Sequence, residues 1–280
     1  MGSFSSHIRL ACVGIMVLGA AVAGLQTGDT PQDRISKDAL GLPGLVGYWN
    51  FDDCLADDLS VSKHISFVSI SNLTLACNAG VVGKAYRFRG VQASDHLEVE
   101  NTPPMMLSEG SSINIWFKLL SNRSHNGDRG ETDFGTQVLI SKSSDRTGIS
   151  VRMEREPTDA LWYAYVSNGR CCVRAPSKLP AVKFGQGGVA VGDWHMITLT
   201  FDPQKSVRLY LDGKTRSVIK SDVYNLNPQT DLEPLIIGAE SKGKWYPFDG
   251  DIDEVRVYDR PLGVTEIAKL FAQGKQVTKR

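Results

Sequence analysis

Short runs in which apolar and polar residues alternate fill the middle of the chain. From 112 to 119 the odd-numbered positions are apolar, while the even-numbered ones include Asn114, Trp116 and Lys118. The same period recurs at 195–201 and 207–211, and a hairpin turn signal, Asp-Gly, follows the second run. A period of two places one face of a β-strand against a core. Comparable short runs predict further strands at 138–140, 149–153, 161–166, 235–237 and 252–258.

Helical spacing occurs in one segment near the C-terminal end. Apolar residues recur there at Val264, Ile267, Leu270 and Phe271, and Gly274 stands where a C-terminal cap belongs. Many short strands with one terminal helix are typical of a two-sheet sandwich. The pattern therefore predicts an all-β, antiparallel β-sandwich of the jelly-roll type, with a short C-terminal helix.

Residues 1–23 have the layout of a secretory signal peptide. A start containing Arg9 precedes an apolar run at 10–18, and small residues follow up to Ala23, after which we expect cleavage. An uncleaved membrane anchor is the alternative, but the apolar stretch is shorter than the roughly 20 residues of a spanning helix. We therefore expect a secreted protein, extracellular, periplasmic or on the cell surface, with no stable membrane span after cleavage.

The rest of the chain divides into three parts by composition. Residues 24–44 are polar, contain Pro31 and Pro43, and predict a flexible lead-in. The strand and helix patterns fill 45–274, which we predict to be one domain, and 275–280 form a C-terminal tail.

Charge argues against one class of partner. The chain of 280 residues has 31 Lys and Arg against 31 Asp and Glu. Neutralising phosphates takes a surplus of basic residues, so we expect no nucleic-acid partner.

An even number of cysteines remains after signal cleavage. In an oxidising compartment they favour disulfides, and four cysteines allow three pairings. Cys54 with Cys77 closes a long polar segment, so we favour this pair. Adjacent Cys171 and Cys172 either form a vicinal bridge in a turn or remain thiols. The four lack the C-x-x-C spacing of zinc sites.

Several segments, in a fixed order, are similar to the landmarks of a known family. They are GYWNFD at 47–52, GKAYRFRG at 83–90, the strand at 112–117, GDWH through LYLDG at 192–213, and FDGDIDEVRVY at 248–258. Together they resemble laminin-G-like jelly-roll domains of the concanavalin A-like lectin/glucanase superfamily. The resemblance implies the sandwich fold over about 45–272 but little about activity, since lectins, adhesion modules and hydrolases share it.

Related sandwich glucanases carry paired carboxylates in a Glu-x-Asp-x-Glu strand, with acids two positions apart on one face, because glycosidic cleavage needs an acid and a base or nucleophile. The nearest alternation here is Asp249, Asp251 and Asp253, but it falls in the closing segment of the resemblance, a different strand. Glu154 and Glu156 give a pair only, next to a proline. We therefore expect no enzyme; a glycoside hydrolase or lyase is the less favoured reading.

The resemblance also implies a structural calcium ion. Asp52 ends the first strand and Asp253 lies on the last, and in this superfamily these strands lie close, with calcium between equivalent acids in many members. Gly90 is the candidate for a carbonyl ligand. The alternative is that Asp253 and Glu254 pair with Arg256 or other basic residues on the surface.

An aromatic pair, Trp245 and Tyr246, is the candidate ligand-binding feature, because it follows a polar loop and could present its rings to a sugar face or to a protein. It could equally staple the loop down. By contrast, Trp49, Trp116 and Trp194 fall at positions that the resemblance assigns to the core.

The sequence thus predicts a secreted, non-catalytic binding module, a monomer, that recognises carbohydrate or a glycosylated surface partner. A protein–protein adhesion or interaction module in an extracellular assembly is the alternative.

Overall fold

In the computed structural model of this protein, strands account for most of the ordered elements. The residues that the structure describes are 42–60, 62–69, 77–121, 124–125, 131–132, 136–144, 147–155, 160–168, 182–183, 191–220, 233–240 and 245–277. Predictions for the signal peptide, Cys171, Cys172 and most of the lead-in lie outside these residues.

The first sheet is 8-stranded and runs in the order β15-β14-β13-β6-β17-β4-β3, with β1 paired to β17. Its neighbouring strands pair in antiparallel fashion. Its strands are β1 (Leu45–Trp49), β3 (Cys77–Ala79), β4 (Lys84–Arg89), β6 (Ser111–Leu119), β13 (Trp194–Asp202), β14 (Ser206–Leu211), β15 (Lys214–Lys220) and β17 (Asp249–Tyr258).

The second sheet is 7-stranded, in the order β12-β11-β10-β9-β16-β5-β2, and is also antiparallel. A short pair, β7 (Ser124–His125) with β8 (Glu131–Thr132), stands apart from both sheets. The strands of the second sheet are β2 (Ser66–Ser69), β5 (His96–Val99), β9 (Gln137–Ser144), β10 (Thr147–Arg155), β11 (Ala160–Asn168), β12 (Val182–Lys183) and β16 (Leu235–Ile237).

The main core lies between the two sheets and confirms the predicted sandwich. The odd-numbered apolar positions of β6 face it, and Phe117 of β6 contacts Trp162 of β11 with ring centroids 4.5 Å apart. Trp49 is buried in the same core, as expected from the sequence. The alternation read from the sequence therefore places the inner faces of the strands correctly.

A second core lies on the outer face of the first sheet, beneath α1 (Val264–Val277). The even-numbered face of β6 supplies Trp116, which stacks on Phe271 of the helix with ring centroids 5.5 Å apart. The predicted cap at Gly274 is wrong, because the helix continues through it to Val277. A Cβ at this position would lie 2.5 Å from the Trp116 ring, so close packing requires the glycine.

No helix among the described residues is both long and apolar enough to cross a membrane.

Candidate functional site

A folded-back segment lies over the outer face of the second sheet. Just after β16, Gly238 takes a positive φ of 86° and the chain leaves the sheet. The Ser141 hydroxyl on β9 donates to the carbonyl of Ala239 at 3.0 Å. Glu240 and Trp245 then pair as an isolated antiparallel bridge. We call Ala239, Glu240, Trp245 and Tyr246 the aromatic segment.

An ion pair ties the aromatic segment to the strands beneath it. The Arg152 guanidinium of β10 lies 3.1 Å from Glu240 Oε1, and the Ser143 hydroxyl donates to the same oxygen at 3.0 Å. The guanidinium also lies 4.4 Å from the centroid of the Tyr165 ring of β11. Both charged side chains keep partial exposure, 12% and 15%. A charged pair, a hydroxyl and a ring therefore meet at the edge of this segment.

The predicted pair of aromatic residues belongs to this arrangement. The rings of Trp245 and Tyr246 are 6.1 Å apart and tilted by 43°, and both residues are partly exposed. The Val138 amide on β9 donates to the Tyr246 carbonyl at 3.0 Å, which holds the backbone in place. Because Trp245 is the bridge partner of Glu240, its side chain and that of Glu240 leave the same face of the bridge. Sequence reasoning found the rings but missed Arg152, Glu240 and Tyr165.

The two predicted calcium acids meet at one turn of the first sheet. Asp52 Oδ1 accepts the Lys84 amide at 2.9 Å, and Asp253 Oδ2 accepts the Val81 and Val82 amides at 2.8 and 3.1 Å. Burial raises the pKa of Asp253 well above its usual range, and the neighbouring charges of Glu254 and Asp52 raise it further. Burial likewise raises the pKa of Asp52. Two carboxyl groups whose ionisation is disfavoured therefore lie together at the turn 80–84.

Glu254 forms the alternative ion pair with Arg256, although this pair is buried rather than on the surface, whereas Asp253 accepts backbone amides. The Arg256 guanidinium contacts the Glu254 carboxylate and lies 4.6 Å from the centroid of the Tyr48 ring. Tyr48 in turn donates to Glu254 Oε1 at 2.9 Å. These side chains are buried.

Gly90 lies away from the turn 80–84. Its amide donates to the Phe248 carbonyl, and a Cβ at this position would lie 2.8 Å from Asp249 Cβ. Asp249 lies four residues before Asp253 on the extended strand β17, so Gly90 is separated from Asp253 along that strand. The structure thus brings Asp52 and Asp253 together but does not bring Gly90 to them.

The sequence and this fold agree on the family. The family model described as the concanavalin A-like lectin/glucanases superfamily, in its laminin-G-like branch, matches residues 91–268, which is more than half of the chain. The chain belongs to this superfamily. No curated protein sequence matches it.

Solved structures share the sandwich at low sequence identity. Domain 4 of AbnA, an extracellular GH43 arabinanase of Geobacillus stearothermophilus solved in complex with arabinotriose, is 16% identical with a TM-score of 0.56. The match covers 81% of this chain and 97% of that domain. The binding domain of Paraclostridial Mosquitocidal Protein 1 is 16% identical with a TM-score of 0.57, covering 85% and 53%.

A third similar structure is the binding domain of botulinum neurotoxin DC in complex with rat synaptotagmin II. It is 12% identical with a TM-score of 0.56, and the match covers 82% of this chain and 52% of that one. The chain therefore spans about half the length of either toxin domain. At these identities the likeness concerns the fold.

The three alternating acids of β17 are each engaged within the first sheet. Asp249 lies 2.7 Å from Arg87, and Asp251 lies 2.7 Å from the Lys118 ammonium. Asp253, as described above, accepts backbone amides. A superfamily glycosidase needs two carboxyl groups that face each other across the scissile bond. The three acids of β17 lie along one strand, a different one from the strand that carries the glucanase acids in the resemblance, and each contacts a separate partner within the first sheet.

The oxygen atoms at the turn 80–84 determine how well a calcium ion would fit there. Ca²⁺ takes about six to eight oxygen ligands. The Asp52 and Asp253 carboxyl groups supply two acids at one place. The Val82 carbonyl oxygen lies near the Asp253 carboxyl group, because a Cβ placed on Gly80 would lie 2.5 Å from Asp253 Oδ2 and 2.6 Å from Val82 O. Among the described residues, no three acidic, His or Cys side chains form a metal-binding group. An ion here would therefore depend on turn carbonyls and water in addition to these two acids.

A disulfide stands beside this turn. Cys54 and Cys77, the pair favoured from the sequence, are bonded, with Cα atoms 5.8 Å apart. The bond joins the loop after β1 to β3. The turn from β3 into β4 contains the amide groups that donate to Asp52 and Asp253.

Proposed function

We propose that this protein is a secreted, non-catalytic module that binds carbohydrate, free or on a glycosylated surface partner, through the outer face of its second sheet. The observation that carries the proposal is the aromatic segment, where Trp245 and Tyr246 stand beside the Arg152–Glu240 pair. Sugars are bound by rings that stack on their apolar faces and by planar polar groups that take their hydroxyls. Both kinds of group meet here, and both keep partial exposure.

The relatives support a binding role. A similar domain was solved with arabinotriose, and others are named binding domains of toxins. The engaged acids of β17 support the absence of catalysis, because Arg87 and Lys118 neutralise Asp249 and Asp251. The disulfide agrees with an oxidising compartment. We further propose that the module acts as a monomer and that Asp52 and Asp253 hold a structural calcium ion.

A glycan array with the mature chain tests the proposal. We expect selective binding without release of reducing sugar, and the Trp245→Ala variant should bind at least about tenfold more weakly, a loss of about 1.4 kcal/mol. Phe67→Ala is the matched control, because this aromatic residue is 59% exposed on β2, at the edge of the same sheet. Equal loss in both variants, or no bound glycan at all, would contradict the proposed site.

A protein-interaction module is the second candidate. It would be favoured by capture of an unglycosylated extracellular protein that Trp245→Ala weakens, together with a blank array. Release of reducing sugar that is lost in Asp249→Asn or Asp251→Asn would instead identify a hydrolase.

A further inference from the structure

The outer face of the second sheet carries two more aromatic residues, on β11. Trp162, Ala164 and Val166 of this strand are buried in the main core. Because side chains alternate along a strand, Tyr163 and Tyr165 point to the opposite, outer side, and both are partly exposed. We call Tyr163 and Tyr165 the β11 rings. This face of the molecule therefore presents aromatic rings at two places, the aromatic segment and β11.

Arg152 on β10 connects the β11 rings with the aromatic segment. It lies opposite Tyr163 in the register of β10 and β11, and its guanidinium lies 4.4 Å from the centroid of the Tyr165 ring. The same guanidinium lies 3.1 Å from Glu240 Oε1, and Glu240 is the bridge partner of Trp245. The two groups of rings are therefore joined by an ion pair within one continuous surface.

The two groups of rings lie too far apart for a single sugar ring to contact both. β11, β10 and β9 are consecutive strands of the sheet, and neighbouring strands are about 4.8 Å apart. The Val138 amide and the Ser141 hydroxyl hold the aromatic segment to β9. The β11 rings are therefore about 10 Å, or two strand spacings, from the strand that anchors the aromatic segment. Only a chain of several linked sugar units covers this distance.

The surface between the rings is polar, and the charges that meet there are balanced. The cation that the structure describes in this cluster, Arg152, is paired with Glu240. The Ser150 hydroxyl accepts from Arg152 Nε at 3.1 Å and from Nη2 at 2.9 Å, and the Ser143 hydroxyl donates to Glu240. Such groups exchange hydrogen bonds with sugar hydroxyls, whereas a carboxylate or sulfate on the ligand would be repelled by Glu240. The surface therefore suits an uncharged ligand.

We propose that this surface binds the interior of a linear, uncharged polysaccharide, which runs from the aromatic segment across β10 to the β11 rings. The inference rests on the proposed function and narrows it, because a terminal sugar on a glycoprotein needs the aromatic segment alone. Tyr163 determines the length of chain that is bound, since its ring contacts sugar units that the aromatic segment does not reach. Tyr165 is a positioning residue, which holds the Arg152 guanidinium against its ring.

The β11 rings have an alternative, purely structural role, which is to cover the outer face of β10 and β11. That role predicts a different response to mutation. Tyr163→Ala would then lower the melting temperature without changing how affinity depends on the length of the ligand.

The test measures affinity against chain length by calorimetric titration of the mature chain. The probes are linear oligosaccharides of arabinose, glucose, xylose and mannose, each from the monosaccharide to the hexasaccharide. In the series that binds, we expect the hexasaccharide to bind at least about tenfold more tightly than the disaccharide. Tyr163→Ala should remove most of this gain and leave the affinity for the disaccharide unchanged, whereas Trp245→Ala should weaken both.

Two controls accompany these variants. Tyr163→Phe keeps the ring and should keep the gain with chain length. Phe67→Ala removes an exposed ring from β2, at the opposite edge of the same sheet, and should also keep it. The charge preference is tested on the polymer that binds most tightly, where partial carboxymethylation of the hydroxyls should weaken binding.

Affinity that does not rise with chain length would overturn this inference, as would binding to none of the four series. A gain that Tyr163→Ala leaves intact, or that Tyr163→Phe loses equally, would do the same, and so would tighter binding of the carboxymethylated polymer. In each of these cases a glycan on the array whose binding is weakened by Trp245→Ala would leave the proposed function standing. A blank array would contradict the proposed function itself.

Discussion

At the scale of single residues, Asp58 organises the loop that follows β1. Its carboxylate is buried and accepts the amides of Tyr48 and Ser60 at 2.8 Å and that of His64 at 2.9 Å. His64 Nδ1 lies 2.6 Å from the same group, so this nitrogen is the donor. Burial opposes ionisation, but the hydrogen bonds from His64 and the backbone outweigh it and lower the pKa of Asp58. The ionised form therefore stabilises the fold.

We expect Asp58→Asn to lower the free energy of unfolding at pH 7 by about 1–3 kcal/mol, because it removes a charged acceptor from buried donors. The pKa of Asp58 is lower in the folded protein than the usual 3.8. The contribution of the ionised Asp58 carboxylate to the free energy of unfolding is therefore complete above pH 3.8 and is lost as the pH falls through the pKa of the folded protein. Denaturant titrations of both proteins between pH 7 and 2 measure this difference, which should shrink in acid. Asp53→Asn, at an exposed acid of the same loop, is the control and should change little.

At the scale of elements, some boundaries followed from the sequence and others did not. The faces of β6 were predictable because nine residues give several periods of alternation, whereas β2, β3 and β5 have only three or four residues. Gly274 was misread as a cap, because sequence alone does not distinguish a glycine that ends a helix from one required by Trp116. The Arg152–Glu240 pair spans 88 positions, and no local pattern predicts such a contact.

The turn 80–84 leads to a prediction about metal. If Asp52 and Asp253 hold Ca²⁺, the ion stabilises the folded state by mass action, and a chelator should lower the melting temperature. Ca²⁺ should restore it and Mg²⁺ should do so poorly, since Mg²⁺ demands a stricter geometry. The double change Asp52→Asn, Asp253→Asn should abolish the response, whereas Asp249→Asn, on the same strand, should keep it. Melting that ignores the chelator, with no metal by elemental analysis, would count against the ion.

At the scale of the whole molecule, the disulfide ties the loop after β1 to β3 of the first sheet. Cys54 and Cys77 are 23 positions apart. Closing a loop of this size restricts the unfolded chain and so stabilises the folded state by about 3 kcal/mol. We expect Cys54→Ser with Cys77→Ser to lose about that much by denaturant unfolding. A reductant should destabilise the wild type by a similar amount and the double variant hardly at all. A reductant effect of equal size in both proteins would instead assign it to Cys171 and Cys172.

The second core also shows on which side of the sandwich the two ends of the described chain lie. Leu42 packs against that core, and Gly274, three residues before the end of the helix, lies against Trp116. Both ends therefore emerge on the outer side of the first sheet, while the aromatic segment lies on the outer side of the second. A fusion partner or an immobilising tag joined beyond Val277 is consequently attached on the side of the molecule opposite the aromatic segment. Display of the protein on a sensor surface through its C-terminus would present Trp245 and Tyr246 to the solution.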